Sequence, residues 1–241
     1  MQQALGHIGY GKRNAVKEKI LEIHSFDNFD LLPVIRESIG PQALRYEGEP
    51  LPSIWALSHA APHNRGSVRS VIQVGSFSKV LMPGLRLGWI VAPEPVINQL
   101  VLAKQAADLH TSTLNQYLAL ELLKAHYLEE ITPELIHAYR TRRDTMLAAL
   151  HGCFPSNVKW TRPQGGMFLL VTLPAGMDAG KLLPRALERK VAYVPGEEFH
   201  ADGSGKNTLR LNFSNATPER ISEGIARLAA VFQETRSTNL D

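Results

Sequence analysis

The sequence of 241 residues has one cysteine, Cys153, so it cannot form an intrachain disulfide. No CxxC pair accompanies that cysteine, and none of the nine histidines belongs to an HExxH signature. The composition therefore gives no support to a metal site, and it fits a reducing, cytoplasmic setting. The first residues, Met1-Gln2-Gln3-Ala4-Leu5-Gly6-His7, lack the basic-then-apolar pattern of a signal peptide. No apolar run approaches membrane-spanning length, so no membrane partner is expected. Repeats and low-complexity tracts are absent. A block of like charge is also missing. The net charge is only +3, with a pI near 9.0, and the excess is spread along the chain. Such a balance attracts anionic small molecules without indicating a nucleic-acid partner.

What is present suffices for a core: 44% of residues are hydrophobic and 20% charged. Residues 14–23 read as a short amphipathic helix carrying Val16, Ile20, Leu21 and Ile23 on one side. Residues 31–35 read as a short buried strand. Residues 47–66 read as loop around a short helical turn. Strands are expected near 70–74 and 87–92, and helices over 95–108 and 113–128. Thr132-Pro133-Glu134 and Thr217-Pro218-Glu219 each offer a hydroxyl cap, a proline at the first helical position and an acid in the first turn. Both predict helix starts. Ile221, Ile225, Leu228 and Phe232 form one apolar stripe in the second. Strand-like segments at 157–161, 166–173, 190–194 and 208–213 surround a helix near 180–189. Strands alternating with helices indicate an α/β architecture. A boundary near 130–140 is expected, drawn as a first domain over residues 1–130 and a smaller one over 131–241.

One segment concentrates the chemistry: Gly75-Ser76-Phe77-Ser78-Lys79, then Met82-Pro83-Gly84-Leu85-Arg86-Leu87-Gly88-Trp89. It reads as a strand, a glycine turn, two hydroxyls, a lysine, a Pro-Gly turn and an arginine entering a second strand. Hydroxyls and a guanidinium suit a phosphate group, which arginine can bind through two parallel hydrogen bonds. A lysine desolvated beside a cation favours the neutral amine that attacks an aldehyde. Three readings compete for this segment. The first is an ordinary surface Ser-Lys turn. The second is acyl transfer, because Ser76-Phe77-Ser78-Lys79 is an S-x-x-K motif; that chemistry also needs S-D-N and K-T-G elements, and neither tripeptide occurs. The third is pyridoxal-phosphate chemistry.

The third reading carries a specific resemblance. Gly75 to Trp89 resembles the cofactor-lysine segment of class I/II pyridoxal-phosphate aminotransferases of fold type I. It is most similar to the branch holding 2-aminoadipate aminotransferases and the aminotransferase-like domains of MocR-type regulators. Further segments resemble the family in the same order. They are Lys104-Gln105-Ala106-Ala107-Asp108-Leu109-His110-Thr111-Ser112-Thr113-Leu114-Asn115-Gln116, Arg162-Pro163-Gln164-Gly165-Gly166-Met167-Phe168, Val191-Ala192-Tyr193-Val194-Pro195-Gly196-Glu197-Glu198-Phe199 and Leu209-Arg210-Leu211-Asn212-Phe213-Ser214. The resemblance implies a partial fold-type I large domain followed by a small α/β domain. It implies pyridoxal 5'-phosphate as cofactor, covalently linked through Lys79, which also moves the substrate proton. Ser76, Ser78 and Arg86 would hold the phosphate, and Arg210 would pair with the substrate carboxylate. Gly165 and Gly166 would leave room beside the substrate. The activity implied moves an amino group from an α-amino acid to a 2-oxo acid, in a homodimer. His110 and Tyr193 are read as a polar helix-end residue and a packing residue.

The chain also departs from the family pattern. Before residue 42 there is no Gly-rich phosphate loop, stacking aromatic or N-P-x-G asparagine, which implies an N-terminally truncated member. Where the family has E-D-D-x-Y, ahead of Gln42, this chain has Arg36-Glu37-Ser38-Ile39-Gly40-Pro41. The ring-nitrogen aspartate is thereby missing. The alternative reading is a non-catalytic remnant or ligand-sensing aminotransferase-like module.

Overall fold

The computed structural model describes residues 18–20, 44–60 and 71–238. They fall into two compact units. One takes residues up to Leu44 and Glu49–Pro133; the other takes Arg45–Gly48 and Glu134–Asp241. Both mix helices with sheet, and every described strand pairing is antiparallel.

The first unit is built on a three-stranded sheet. Strand β3 (Gly88–Pro93) lies at its centre, between β1 (Glu18–Ile20) and β2 (Gln73–Ser76). The expected helix over 14–23 is therefore corrected at 18–20, where Glu18, Lys19 and Ile20 pair with Pro93, Ala92 and Val91. An open ladder edge on β3 outweighs a weak local helical pattern. The strand expected at 31–35 and the segment Arg36–Pro41 lie outside the described residues. Helix α1 (Ile54–Ala60) starts where the Ser53 hydroxyl caps the Ala56 N–H at 3.1 Å. Helix α2 (Glu94–Asp108) follows β3 directly, and its Ile97 packs with Ala92 in a small cluster that Ile90, Val96, Leu100 and Val101 border. Ser112 caps helix α3 (Thr113–Lys124), which ends before His126, a residue in the left-handed region at φ 55°.

Helix α4 (Tyr127–Cys153) has 27 residues and contains Pro133. Thr132-Pro133-Glu134 is thus not a helix start, as its capping pattern predicts, but helix interior. Proline removes one backbone donor there, and the Thr132 hydroxyl donates to the Leu128 carbonyl at 2.5 Å. The division between the units falls at this proline.

In the second unit, a four-stranded sheet runs in the order β4 (Lys159–Trp160), β5 (Phe168–Thr172), β7 (Thr208–Asn212), β6 (Val194–Pro195). Alternation is clear on the central pair. Leu169 and Val171 of β5, with Leu209 and Leu211 of β7, turn inward, while Phe168 and Arg210 occupy the opposite face. The inward residues meet Met146 and Leu150 of α4, Leu182 and Ala186 of α5 (Ala179–Glu188), and α6 (Pro218–Thr238). Helix α6 starts at Thr217-Pro218, as its sequence predicts, and buries Ile221, Ile225, Leu228 and Phe232 along one stripe. No helix among the described residues is long and apolar enough to cross a membrane.

Leu228 is wholly buried in this core, whereas Leu187 on α5 is half exposed. Leu228→Ala should destabilise the protein by about 3 kcal/mol, the cost of lost transfer energy plus a residual cavity. Leu187→Ala should cost well under that. Urea unfolding followed by circular dichroism measures both; equal midpoints for the two variants would contradict this packing.

Candidate active site

Each unit carries its own set of sequence-predicted residues. In the first, β2 and β3 are joined by the loop 77–87. Its stems are fixed by a close approach across the ladder. Gly75 pairs with Trp89, and a β-carbon at position 75 would lie 2.1 Å from the indole Cε2. Only glycine lets the two strands and the ring coexist. The Phe77 N–H then donates to the Leu87 carbonyl at 3.2 Å, and the Leu81 N–H to the Phe77 carbonyl at 2.9 Å. Phe77, Val80, Leu85 and Leu87 are buried and root the loop. The Asn115 amide of α3 adds a hydrogen bond to the Leu85 carbonyl at 3.0 Å.

With the apolar residues turned in, the polar ones are placed outward. Lys79 closes a short 3-10 turn (Phe77–Lys79) and is exposed. The sequence-based expectation of a desolvated lysine is corrected here, because the turn that buries Phe77 directs Lys79 away from the core. Arg86 adopts a left-handed backbone at φ 53°, is exposed, and gives one long hydrogen bond, 3.3 Å, to the Pro83 carbonyl. Among the described residues neither Lys79 nor Arg86 has a carboxylate partner. Ser78 is half-buried, and its hydroxyl makes no hydrogen bond among the described residues. Ser76 differs. Its hydroxyl accepts from the Ser78 N–H at 3.1 Å and donates to the Leu87 carbonyl at 3.4 Å, so both its roles are engaged within the loop. Among the described residues the loop presents an amine, a hydroxyl and a guanidinium, of which only the guanidinium has a hydrogen bond, the long one to the Pro83 carbonyl. That donor set fits a phosphate-bearing aldehyde.

In the second unit, Arg210 stands on the sheet face opposite its buried neighbours Leu209 and Leu211. Its guanidinium carbon lies 4.3 Å from the Phe168 ring centroid and 4.4 Å from that of Phe199. Arg210 also borders a cavity of about 320 Å³, lined further by Met146, Tyr193, Arg220, Ile221 and Gly224. Tyr193 is buried and donates to the Ala179 carbonyl at 2.7 Å, as a packing residue does. His110 is exposed beyond the end of α2, with its Nδ1 2.8 Å from the Thr111 carbonyl.

The glycine pair Gly165-Gly166 is stapled by residues that sequence reasoning did not single out. Gly166 has φ 82°, a conformation that glycine adopts without strain. Tyr46 donates its hydroxyl to the Gly166 carbonyl and its N–H to the Gln164 carbonyl, and Arg45 donates to the Gln164 side chain at 2.8 Å. Behind them Arg143, almost fully buried, donates to the Pro163 carbonyl at 2.8 Å, to Glu47 at 2.5 Å and to Asp144 at 2.9 Å. Burial pushes the Tyr46 phenol well above its ordinary range, and Tyr139 adds to this. The hydrogen bond from Arg143 holds the Glu47 carboxyl below its usual value. The only sequence hint of this cluster is the basic run Arg140, Arg142, Arg143, which an exposed helix face could carry equally well.

The family model described as aminotransferase class I and II matches residues 46–228. The aromatic-amino-acid aminotransferase 1 of Thermococcus litoralis is 43% identical, with 90% of this chain and 49% of that protein covered. The 2-aminoadipate transaminase of Thermus thermophilus is 47% identical, with 78% of this chain and 46% of that protein covered. The structure of LysN, the α-aminoadipate aminotransferase of Thermus thermophilus complexed with N-(5'-phosphopyridoxyl)-L-leucine, is 41% identical. It superposes with a TM-score of 0.77, covering 86% of this chain and 54% of that one. The chain spans about half the length of the curated relatives it matches.

The Glu47–Arg143 pair has a pH signature. A carboxyl whose folded pKa is depressed contributes stability that is present above its unfolded value, 4.5, and is lost as pH falls through the folded one. Glu47→Gln should therefore lower the urea midpoint at neutral pH, and the gap from the parent should close on acidification below pH 4.5. A gap that stays constant from pH 7 to pH 3 would contradict the pairing.

Proposed function

This chain belongs to the class I and II aminotransferase family, and from that premise we propose that it contributes to a pyridoxal-phosphate aminotransferase that moves an amino group from an α-amino acid to a 2-oxo acid. The observation that carries the reading is the loop 77–87. It is rooted by buried apolar residues and presents Ser78 beside two cations, Lys79 and Arg86, that have no carboxylate partner among the described residues.

Pyridoxal phosphate, when bound, supplies an aldehyde and a conjugated ring that accepts electrons. The chain's own residues do the rest. Arg86 and Ser78 would hold the phosphate through charge-assisted and hydroxyl hydrogen bonds. Ser76 would join them by giving up its 3.4 Å bond to the Leu87 carbonyl, the weakest of its contacts. Lys79 Nζ would hold the aldehyde end of the cofactor and would move the proton at the substrate α-carbon. Arg210 would orient the substrate carboxylate.

The domain assignment follows: a partial cofactor-binding large domain to residue 130 and a small domain from 131. We place the chain in the cytoplasm, which suits its single cysteine, and we take the assembly to be a homodimer. Support for the dimer comes from large apolar residues exposed on the first unit, among them Val74, Leu102, Leu114 and Leu118. A second reading, a module that binds ligand without turnover, is favoured by Arg36-Glu37-Ser38-Ile39-Gly40-Pro41, which carries no aspartate for the ring nitrogen.

Adding pyridoxal phosphate, trapping with borohydride and mapping by mass spectrometry should label Lys79 first, and Lys79→Ala should abolish that label. Arg86→Ala should raise the concentration needed for half-labelling by about tenfold or more, the weight of one charge-assisted contact. Labelling spread evenly over surface lysines and unchanged in Lys79→Ala would sink the proposal. Turnover of an amino acid with 2-oxoglutarate separates the two readings.

A further inference from the structure

The face of β7 opposite the core poses a physical question. Arg210 keeps a long, charged side chain on a sheet, yet its guanidinium makes no hydrogen bond and no ion pair among the described residues. What it has instead is two aromatic rings, Phe168 at 4.3 Å and Phe199 at 4.4 Å. The contrast with Arg143 is direct, since that residue is tied to Glu47, Asp144 and the Pro163 carbonyl.

Resting on the reading of Arg210 as the carboxylate anchor, we propose that Phe168 and Phe199 are positioning residues that clamp the Arg210 guanidinium for a ligand carboxylate. An aromatic face attracts a cation through its quadrupole but accepts no strong hydrogen bond. Two such faces stabilise the charge and restrict the rotamers of the side chain while leaving its N–H donors unengaged. A carboxylate partner on the protein would hold the arginine as firmly, but it would take up those donors. The clamp therefore supplies preorganisation without competition, which is what tight binding of a small anion needs.

The backbone is arranged to bring both rings there. Arg210 pairs across the ladder with Leu170, and Phe168 stands two residues along β5 on the same face, a diagonal neighbour within reach of a long side chain. Phe199 comes from the other side of β7. Strand β6 pairs Val194 with Arg210 and then turns into a 3-10 turn (Gly196–Phe199). That turn can approach β7 only because Gly196 lacks a side chain: a β-carbon there would fall 1.7 Å from the Thr208 Oγ1. Both rings remain partly exposed, 37% for Phe168 and 49% for Phe199, so their placement adds little to core burial.

The test uses the full chain and 4-methyl-2-oxopentanoate as probe, with its methyl ester as the uncharged control. Binding is measured by NMR titration, including the Arg210 Nε–H resonance, which nearby rings displace. Phe168→Leu and Phe199→Leu should each weaken carboxylate binding by about two- to fivefold, the strength of a partly exposed cation–π contact. Each should shift the Nε–H resonance and leave binding of the ester unchanged, and Phe199→Tyr should restore both readouts. A ring that serves only packing would leave carboxylate binding unchanged, whatever the loss of its ring current does to the resonance. Leucine variants that bind the carboxylate as tightly as the parent, while Arg210→Ala loses it, would overturn the clamp. Carboxylate binding unchanged in Arg210→Ala would overturn the anchor itself, and the clamp with it.

Discussion

The indole of Trp89 fills the space that a side chain at position 75 would need, and the polar loop of the first unit hangs from that contact. It brings β2 and β3 together in the register that sets Ser76 opposite Gly88. From there the stems of the loop 77–87 are fixed, and Phe77, Val80, Leu85 and Leu87 point inward. What remains faces outward: a hydroxyl, an amine and a guanidinium. A substitution as small as Gly75→Ala would force the ring to move and would lose this arrangement without touching any residue assigned chemistry.

Three arginines show how surroundings decide what a charge can do. Arg143 is buried, and its donors are taken by Glu47, Asp144 and the Pro163 carbonyl, so it serves the fold by stapling the segment 45–47 beside Gly165-Gly166. Burial works against its charge, and the two carboxylates outweigh that burial. Arg86 is exposed on a left-handed turn with one long internal hydrogen bond. Arg210 is held by rings. The first arginine has little left to offer a ligand. Among the described residues the other two keep most of their donors, and they are the two proposed to meet phosphate and carboxylate.

Much of the architecture could be read from periodicity. Leu169 and Val171, and Leu209 and Leu211, alternate as strands with one buried face must. Ile221, Ile225, Leu228 and Phe232 repeat as a helix stripe must. The loop was legible because glycine, hydroxyls, lysine and arginine stand in a tight order. Other features rest on tertiary context. Thr132-Pro133-Glu134 carries every local mark of a helix start yet lies inside α4, where a threonine hydroxyl takes up the Leu128 carbonyl. The short pattern at 14–23 yields at 18–20 to the open edge of β3. Arg143 meets Glu47 across 96 positions of sequence, and no spacing rule links such a pair. The exposure of Lys79 depends on a 3-10 turn that burying Phe77 dictates.

The loop 77–87 is proposed as a preformed half-site for a phosphate-bearing aldehyde. A crystal structure of the chain soaked with pyridoxal phosphate tests it most directly. The expected result is continuous density from Lys79 Nζ, with the phosphate against Ser78 and Arg86 and the loop backbone unmoved. Cofactor density elsewhere, or a loop that must refold to reach the phosphate, would contradict it.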